Sequence, residues 1–206
     1  MQNVNPLATP SRLRAIIIVI LAAVALGAWL MMQSLNDEKN RAGTALIGGP
    51  FTMLNQKGET VTEKNFLGHY TLYFFGFTNC GDVCPAELQV MTAALNELGA
   101  DAEKITPVFV SVDPERDTPA VMAAYVANYD ARMQGLTGSA EQVAGIAKAF
   151  HVFYQKIPNP KDPKDYEMDH SSILFAMAPD GTFAKHFNYT TDAVALAADL
   201  KKLIEH

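Results

Sequence analysis

The two cysteines of this 206-residue chain both lie in the stretch FTNCGDVCP, at Cys80 and Cys84, and Pro85 follows directly. A thiol pair this close in sequence can form a disulfide, attack one, or hold a soft metal ion, because thiolate is both nucleophile and metal ligand. A compact turn can bring the two Cα atoms within the roughly 4.4–6.8 Å that a disulfide needs, and the same turn can aim both sulfurs at one ion. A permanent staple is the weakest of these uses, since closing so short a loop removes little entropy from the unfolded chain. Proline has no amide hydrogen and is tolerated in a helix's first turn but not inside it. Pro85 therefore predicts a helix starting there, with Cys84 at or near its N-cap. The partial positive charge of such a helix end favours thiolate over thiol.

Two thiolates seldom complete a metal site, so a third donor is sought among the five histidines. His206 ends the chain, His69 and His151 sit where elements begin, and His186 alternates with Lys185 in a late strand. A surface position accounts for each of these four. His170 differs: it ends the polar, proline-rich stretch IPNPKDPKDYEMD, read as a loop, and directly precedes an apolar strand at 172–178. If that strand is antiparallel to the one before Cys80, His170 reaches the sheet edge where the cysteines lie. Cys80, Cys84 and His170 would then form a soft three-donor set. Such a set suits Cu(I) and, with a water, is also open to zinc. Met168 offers a thioether two residues earlier but is read as packing material.

The elements that must position these groups are legible from pattern. YTLYFFGF (70–77) and TPVFVSV (106–112) are apolar on both faces, as buried central strands are. FTMLNQKGETVT reads as a hairpin turning at Gln56-Lys57-Gly58. Residues 85–98 carry Leu88, Met91, Leu95 and Leu98 at helical spacing, and Thr118-Pro119 opens a helix to Asn128. Ser139 and Gln142 form a capping box for a helix to about Phe150. SILFAMA and TFAKHFNY, joined by PDG, make a second hairpin, and Thr191 caps a last helix. Strands alternating with helices, closed by a hairpin and a helix, predict an α/β domain of thioredoxin-like topology with an N-terminal hairpin.

Ahead of this domain, Ala15 to Met32 is an uncharged apolar run, about the length needed to cross a bilayer core as a helix. A cleavable signal would have a shorter apolar core and a small-x-small site, whereas this run ends in AWLMM. The expectation is an uncleaved transmembrane anchor. Arg12 and Arg14 precede the run, which puts the N-terminus in the cytoplasm and the domain across the membrane, where disulfides can form. The chain then divides into a tail (1–14), an anchor (15–33), a linker (34–49) and a domain (50–206). The net charge is −6 with no basic run in the domain, so the footprint of a nucleic-acid binder is absent.

YFFGFTNCGDVCPAELQVM, VFVSVDPERDTPAVMAAYV and DHSSILFAMAPDGTF, in this order, resemble the Sco/SenC family of copper proteins over about 50–206. The resemblance implies a thioredoxin-like domain tethered at a bacterial inner membrane and facing the periplasm, or at the mitochondrial inner membrane facing the intermembrane space. It implies one copper ion, Cu(I) or Cu(II), held by two cysteines and a histidine, which by position are Cys80, Cys84 and His170. It further implies assembly of the CuA centre of cytochrome c oxidase subunit II, with other copper chaperones or a thioredoxin-like reductant as further partners. Asp113 and Asp117, in VDPERDTP, match a family signature and are read as shaping a turn. Family members often read THCPDVCP, where this chain has Asn79 and Gly81. The change removes a histidine near the site and loosens the turn, and leaves the three implied ligands in place.

Three functions are weighed. A copper metallochaperone needs all three donors. A thiol-disulfide oxidoreductase that reduces the CuA cysteines of the acceptor needs Cys80 and Cys84 as a redox-active pair but not His170. A peroxiredoxin-like peroxidase ranks last: it would place a threonine three residues before its reactive cysteine, whereas Thr78 is two before Cys80, and no arginine follows Arg132.

Overall fold

The computed structural model of the chain describes residues 11–42 and 47–205, with the side chains of 11–14, 30, 33–42 and 163–164 not included. Residues 1–10 of the expected tail, 43–46 of the expected linker and His206 lie outside the described residues. By its contacts the chain divides into two units, residues 1–45 and 46–206. The first holds one helix, α1 (Ser11–Ala42), which contains the whole apolar run and continues through residues 34–42. Among the described residues no helix is long and apolar enough to cross a membrane, so the anchor rests on the sequence alone.

The second unit begins with the expected hairpin, β1 (Thr52–Asn55) and β2 (Thr60–Thr62), paired antiparallel across Lys57 and Gly58. Gly58 takes a φ of 79°, a left-handed turn conformation that glycine adopts without steric cost. There follow β3 (Tyr70–Gly76), α2 (Val83–Leu98), β4 (Ile105–Ser111), α3 (Pro119–Val126), β5 (Gln134–Thr137) and α4 (Ala140–Ala149). Next come β6 (Tyr154–Asn159), β7 (Asp162–His170), β8 (Ile173–Met177), β9 (Phe183–Asn188) and α5 (Ala193–Ile204). Seven strands form one sheet in the order β2-β1-β5-β4-β3-β8-β9. β3 and β4 run parallel down its middle, and every residue of β3 from Thr71 to Gly76 is buried. β8 pairs antiparallel with β3, Phe74 opposite Leu174, so the start of β8 lies at the carboxyl end of β3. That is the arrangement His170 requires.

Four local expectations change. The helix after the cysteines starts at Val83 with Asp82 as N-cap, so Cys84 lies inside its first turn and Pro85 one residue further in. The proline-rich segment before His170 is not a loop: β6 and β7 form a separate two-stranded sheet, and His170 is the last residue of β7. β5, a four-residue strand containing Gly135, has no counterpart in the sequence reading. The last helix is capped by Asp192, which accepts from the Ala195 amide, rather than by Thr191. The capping box at Ser139 and Gln142 is present as read, as is the cap by Thr118 with Pro119 behind it.

The core surrounds β3 and β4. Phe74, Phe75, Phe109 and Phe150 are among its largest fully buried side chains, and Phe150 packs within 5.6 Å of Tyr73, Phe75 and Phe175, ring centre to ring centre. α2 packs against α5, α3 against β5 and α4 against β1. A strand this thoroughly packed fixes where its carboxyl end stops, and there the site begins.

Candidate metal centre

After Gly76 the chain leaves β3 through Phe77 and Thr78 into a tight turn, in which the Cys80 amide donates to the Phe77 carbonyl at 3.3 Å. α2 then begins, and the Cys84 amide donates to Cys80 Sγ at 3.3 Å. The positive end of the helix thus lies against the Cys80 sulfur. Cys84 is fully buried and Cys80 only partly. The Cys84 sulfur occupies room that Gly76 leaves open: a Cβ on that glycine would stand 2.7 Å from it. Both cysteines are free thiols.

His170 arrives from β7. Its Nδ1 lies 3.3 Å from the Ser171 carbonyl, which as an acceptor fixes the proton on Nδ1 and leaves Nε2 with its lone pair. Nε2 is 3.4 Å from Cys84 Sγ and accepts from that thiol. The imidazole packs edge-on against Phe77 and Phe74, at 5.8 and 6.2 Å between ring centres. The two sulfurs and the imidazole nitrogen all lie within 4.8 Å of one another, and among the described residues no other histidine, cysteine or carboxylate joins such a group. His69, His151 and His186 are exposed, as expected. Met168 is partly buried against the core, which agrees with packing.

Electrostatics correct one expectation. Burial pushes the Cys84 thiol far above its ordinary value, outweighing the backbone hydrogen bond at Phe77. The helix end does not make this residue a thiolate. Burial also lowers His170, so its imidazole is neutral at pH 7 and able to act as a ligand. The resting site is a thiol beside a neutral imidazole, and a metal must displace the thiol proton to bind.

Asp113 and Asp117 do more than shape a turn. The turn exists, with the Asp117 amide donating to the Asp113 carbonyl at 2.9 Å. Both side chains are buried and reach out of it. Asp117 accepts from the Thr78 amide and hydroxyl at 3.1 and 2.5 Å, and from the Ser111 hydroxyl at 2.6 Å. Burial raises its carboxyl in spite of these bonds. Arg116 and Tyr166, which hold this network together with Thr78, escaped the sequence reading, and Thr78 was weighed there only as a peroxidase residue. Arg116 was visible between two acidic residues after a buried strand, whereas Tyr166 gave no signal.

The SCO1/SenC family profile matches residues 39–205. This chain belongs to the SCO1/SenC family. It is 40% identical over 172 residues to the human mitochondrial SCO1 homolog, a match covering 82% of this chain and 56% of the human protein. The chain thus spans little more than half the length of that relative. Among solved Sco structures, Bradyrhizobium japonicum ScoI with copper bound is 43% identical, with a TM-score of 0.71, over 76% of this chain and 99% of that one. BsSco, in which a disulfide switch was identified, is a member of the Sco family of cytochrome c oxidase assembly proteins. It is 28% identical, with a TM-score of 0.60, over 78% of this chain and 94% of that one. The α/β, thioredoxin-like fold expected from the element order is the fold observed, and it is the fold of these Sco structures.

Proposed function

We propose that this protein is a membrane-tethered copper metallochaperone that holds one ion at Cys80, Cys84 and His170 and delivers it to the CuA site of cytochrome c oxidase subunit II. The observation that carries the reading is the convergence of three soft donors, from two separate elements, within 4.8 Å. Two sulfurs and a neutral imidazole fit copper by ligand softness. The same donors with an open position would also accept zinc. Copper is favoured because the B. japonicum relative was solved with copper bound. The partly exposed Cys80 gives an acceptor's thiolate access to the ion, while the fully buried Cys84 holds it from behind.

The tether is supported by the uncharged apolar run Ala15 to Met32. Ile16 to Leu21 are six consecutive apolar residues, each about half or more exposed, so they cover every face of the helix. A helix apolar all round belongs inside a protein or a bilayer. Arg12 and Arg14, ahead of the apolar run, orient the domain toward the periplasm, or the intermembrane space in a mitochondrion.

The asymmetry of the cysteines supports a second reading, reduction of the acceptor's CuA cysteines. The accessible Cys80 sulfur would attack the acceptor disulfide and release one acceptor thiolate. Cys84 would then resolve the mixed disulfide, leaving the acceptor as a dithiol and this pair oxidised by two electrons. The test is a Cu(I) titration of the reduced full chain against a competing chelator, with Cys80→Ser and His170→Ala beside it. One tightly held ion, lost or weakened in both variants, is the expected result. Binding indifferent to His170, or none, refutes the chaperone reading and leaves the dithiol one.

A further inference from the structure

The segment 113–117 reaches both halves of the site. On the cysteine side, Asp117 grips Thr78, two residues before Cys80. On the histidine side, Asp113 accepts from the Tyr166 hydroxyl at 2.7 Å and from Arg116 Nε. Arg116 Nη1 donates to the Tyr166 carbonyl at 2.9 Å, and the guanidinium lies over the Tyr166 ring, 3.8 Å from its centre. Lys156 Nζ also stands 3.8 Å from that ring centre and pairs with Glu115 at 2.7 Å.

Tyr166 belongs to β7 and Lys156 to β6. An isolated two-stranded hairpin is marginal in water, and among its described side chains Tyr166 alone is buried. The strand that carries His170 is therefore tied to the domain by Tyr166, with Met168 and Tyr154 packed partly buried against the core beside it. Asp113 is 2% exposed, and a buried carboxylate needs the guanidinium and hydroxyl that reach it. Phe77 links the two sides again: Arg116 lies 5.7 Å from its ring centre and the His170 ring 5.8 Å.

We propose that residues 113–117 form a brace that sets the position of His170 relative to the two cysteines. Asp113, Arg116 and Tyr166 are positioning residues acting through the β6–β7 hairpin, and Asp117 acts through Thr78 on the cysteine turn. The inference rests on the copper reading of the site. Loss of an outer partner of a metal ligand commonly costs roughly 10- to 100-fold in affinity, and here the loss is bounded by that of His170→Ala itself.

The test uses the reduced full chain with two variants. Tyr166→Phe keeps the ring and removes the hydroxyl, and Arg116→Lys keeps the charge and removes the planar fork. Amide hydrogen exchange across 154–170 in the metal-free protein should accelerate in both. Copper affinity should fall about 10- to 100-fold in each, yet show no further loss when His170→Ala is already present. Asp117→Asn should lose affinity in both backgrounds. Unchanged exchange in the hairpin overturns the brace, as do equal losses with and without His170, which would mark plain destabilisation. Faster exchange in a chain whose wild type binds no copper overturns the copper reading, and with it the positioning role, while leaving the clamp as a scaffold.

Discussion

Glu87 should make the stability of this domain fall as pH rises toward neutrality. It lies in α2 one turn beyond Cys84, is 3% exposed, and its Oε1 has no hydrogen-bond partner among the described residues. Burial alone pushes its carboxyl from the ordinary 4.5 up to about 7. Between those two values the folded protein holds a proton that the unfolded chain has released. Stability therefore declines with rising pH across that window and levels off above it. A tenfold change in proton affinity is worth about 1.4 kcal/mol, so the whole decline from this group is about 3 kcal/mol, a large part of a domain's net stability. Urea unfolding of the reduced, metal-free protein at intervals from pH 5 to 8 measures it, for wild type and for Glu87→Gln. The amide is nearly isosteric and does not titrate, and contributions from Asp117, His170 and the remaining groups cancel in the comparison. The glutamine variant should gain on wild type by about 2.5 kcal/mol between the two ends of the range, part of the decline being complete already at pH 5. Parallel curves would show that Glu87 ionises normally in the fold and would refute the reasoning.

Three more outcomes can be checked. Gly76→Ala would place a Cβ 2.7 Å from Cys84 Sγ and 2.8 Å from Phe109 Cε2, both fully buried. Overpacking of this kind costs about 1–3 kcal/mol, so the melting temperature should drop and copper affinity with it, and an unchanged affinity would show that Cys84 can shift without harm. Because burial keeps Cys84 protonated, copper loading should release its proton, and apparent Cu(I) affinity should climb at least roughly tenfold per pH unit between pH 6 and 8. A flat profile would mean that the thiol is already ionised. Ser139→Ala removes the acceptor of the Gln142 amide and should cost about 1 kcal/mol in urea unfolding while leaving copper affinity alone.

The parts of the fold that could be read ahead were those where one physical demand determines the residue types. β3 and β4 are buried on both faces and are mostly apolar on both. Pro119 behind Thr118, and Gln142 behind Ser139, each satisfy helix-end groups in a way few other pairs can. The misreadings share a cause. The first four amides of any helix lack an internal acceptor, so Pro85 could show that α2 starts nearby but could not tell its first residue from its third. Thr191 and Asp192 are both good caps, and only the geometry of α5 chooses between them. β6 and β7 are mostly exposed on both faces, so no alternation of apolar and polar residues marks them, and three prolines point toward a loop. β5 spans four residues, one of them glycine, too short for its period to show.

For the site, ligand identity was more legible than ligand state. Two cysteines and one histidine at an appropriate place along the chain define a donor set whether or not the helix start is known to the residue. What decides protonation is how much water reaches each atom, and that depends on side chains far apart in sequence: Gly76 making room, Phe74, Phe77 and Phe109 closing around it. A helix end acts on Cys84 with roughly half a charge, whereas full burial removes nearly all of its hydration, and the larger effect prevails. The same burial that keeps the Cys84 thiol protonated keeps His170 neutral, so these two carry no thiolate–imidazolium pair to be desolvated. Charge enters together with the metal, and the proton lost from Cys84 is the measurable trace of that exchange.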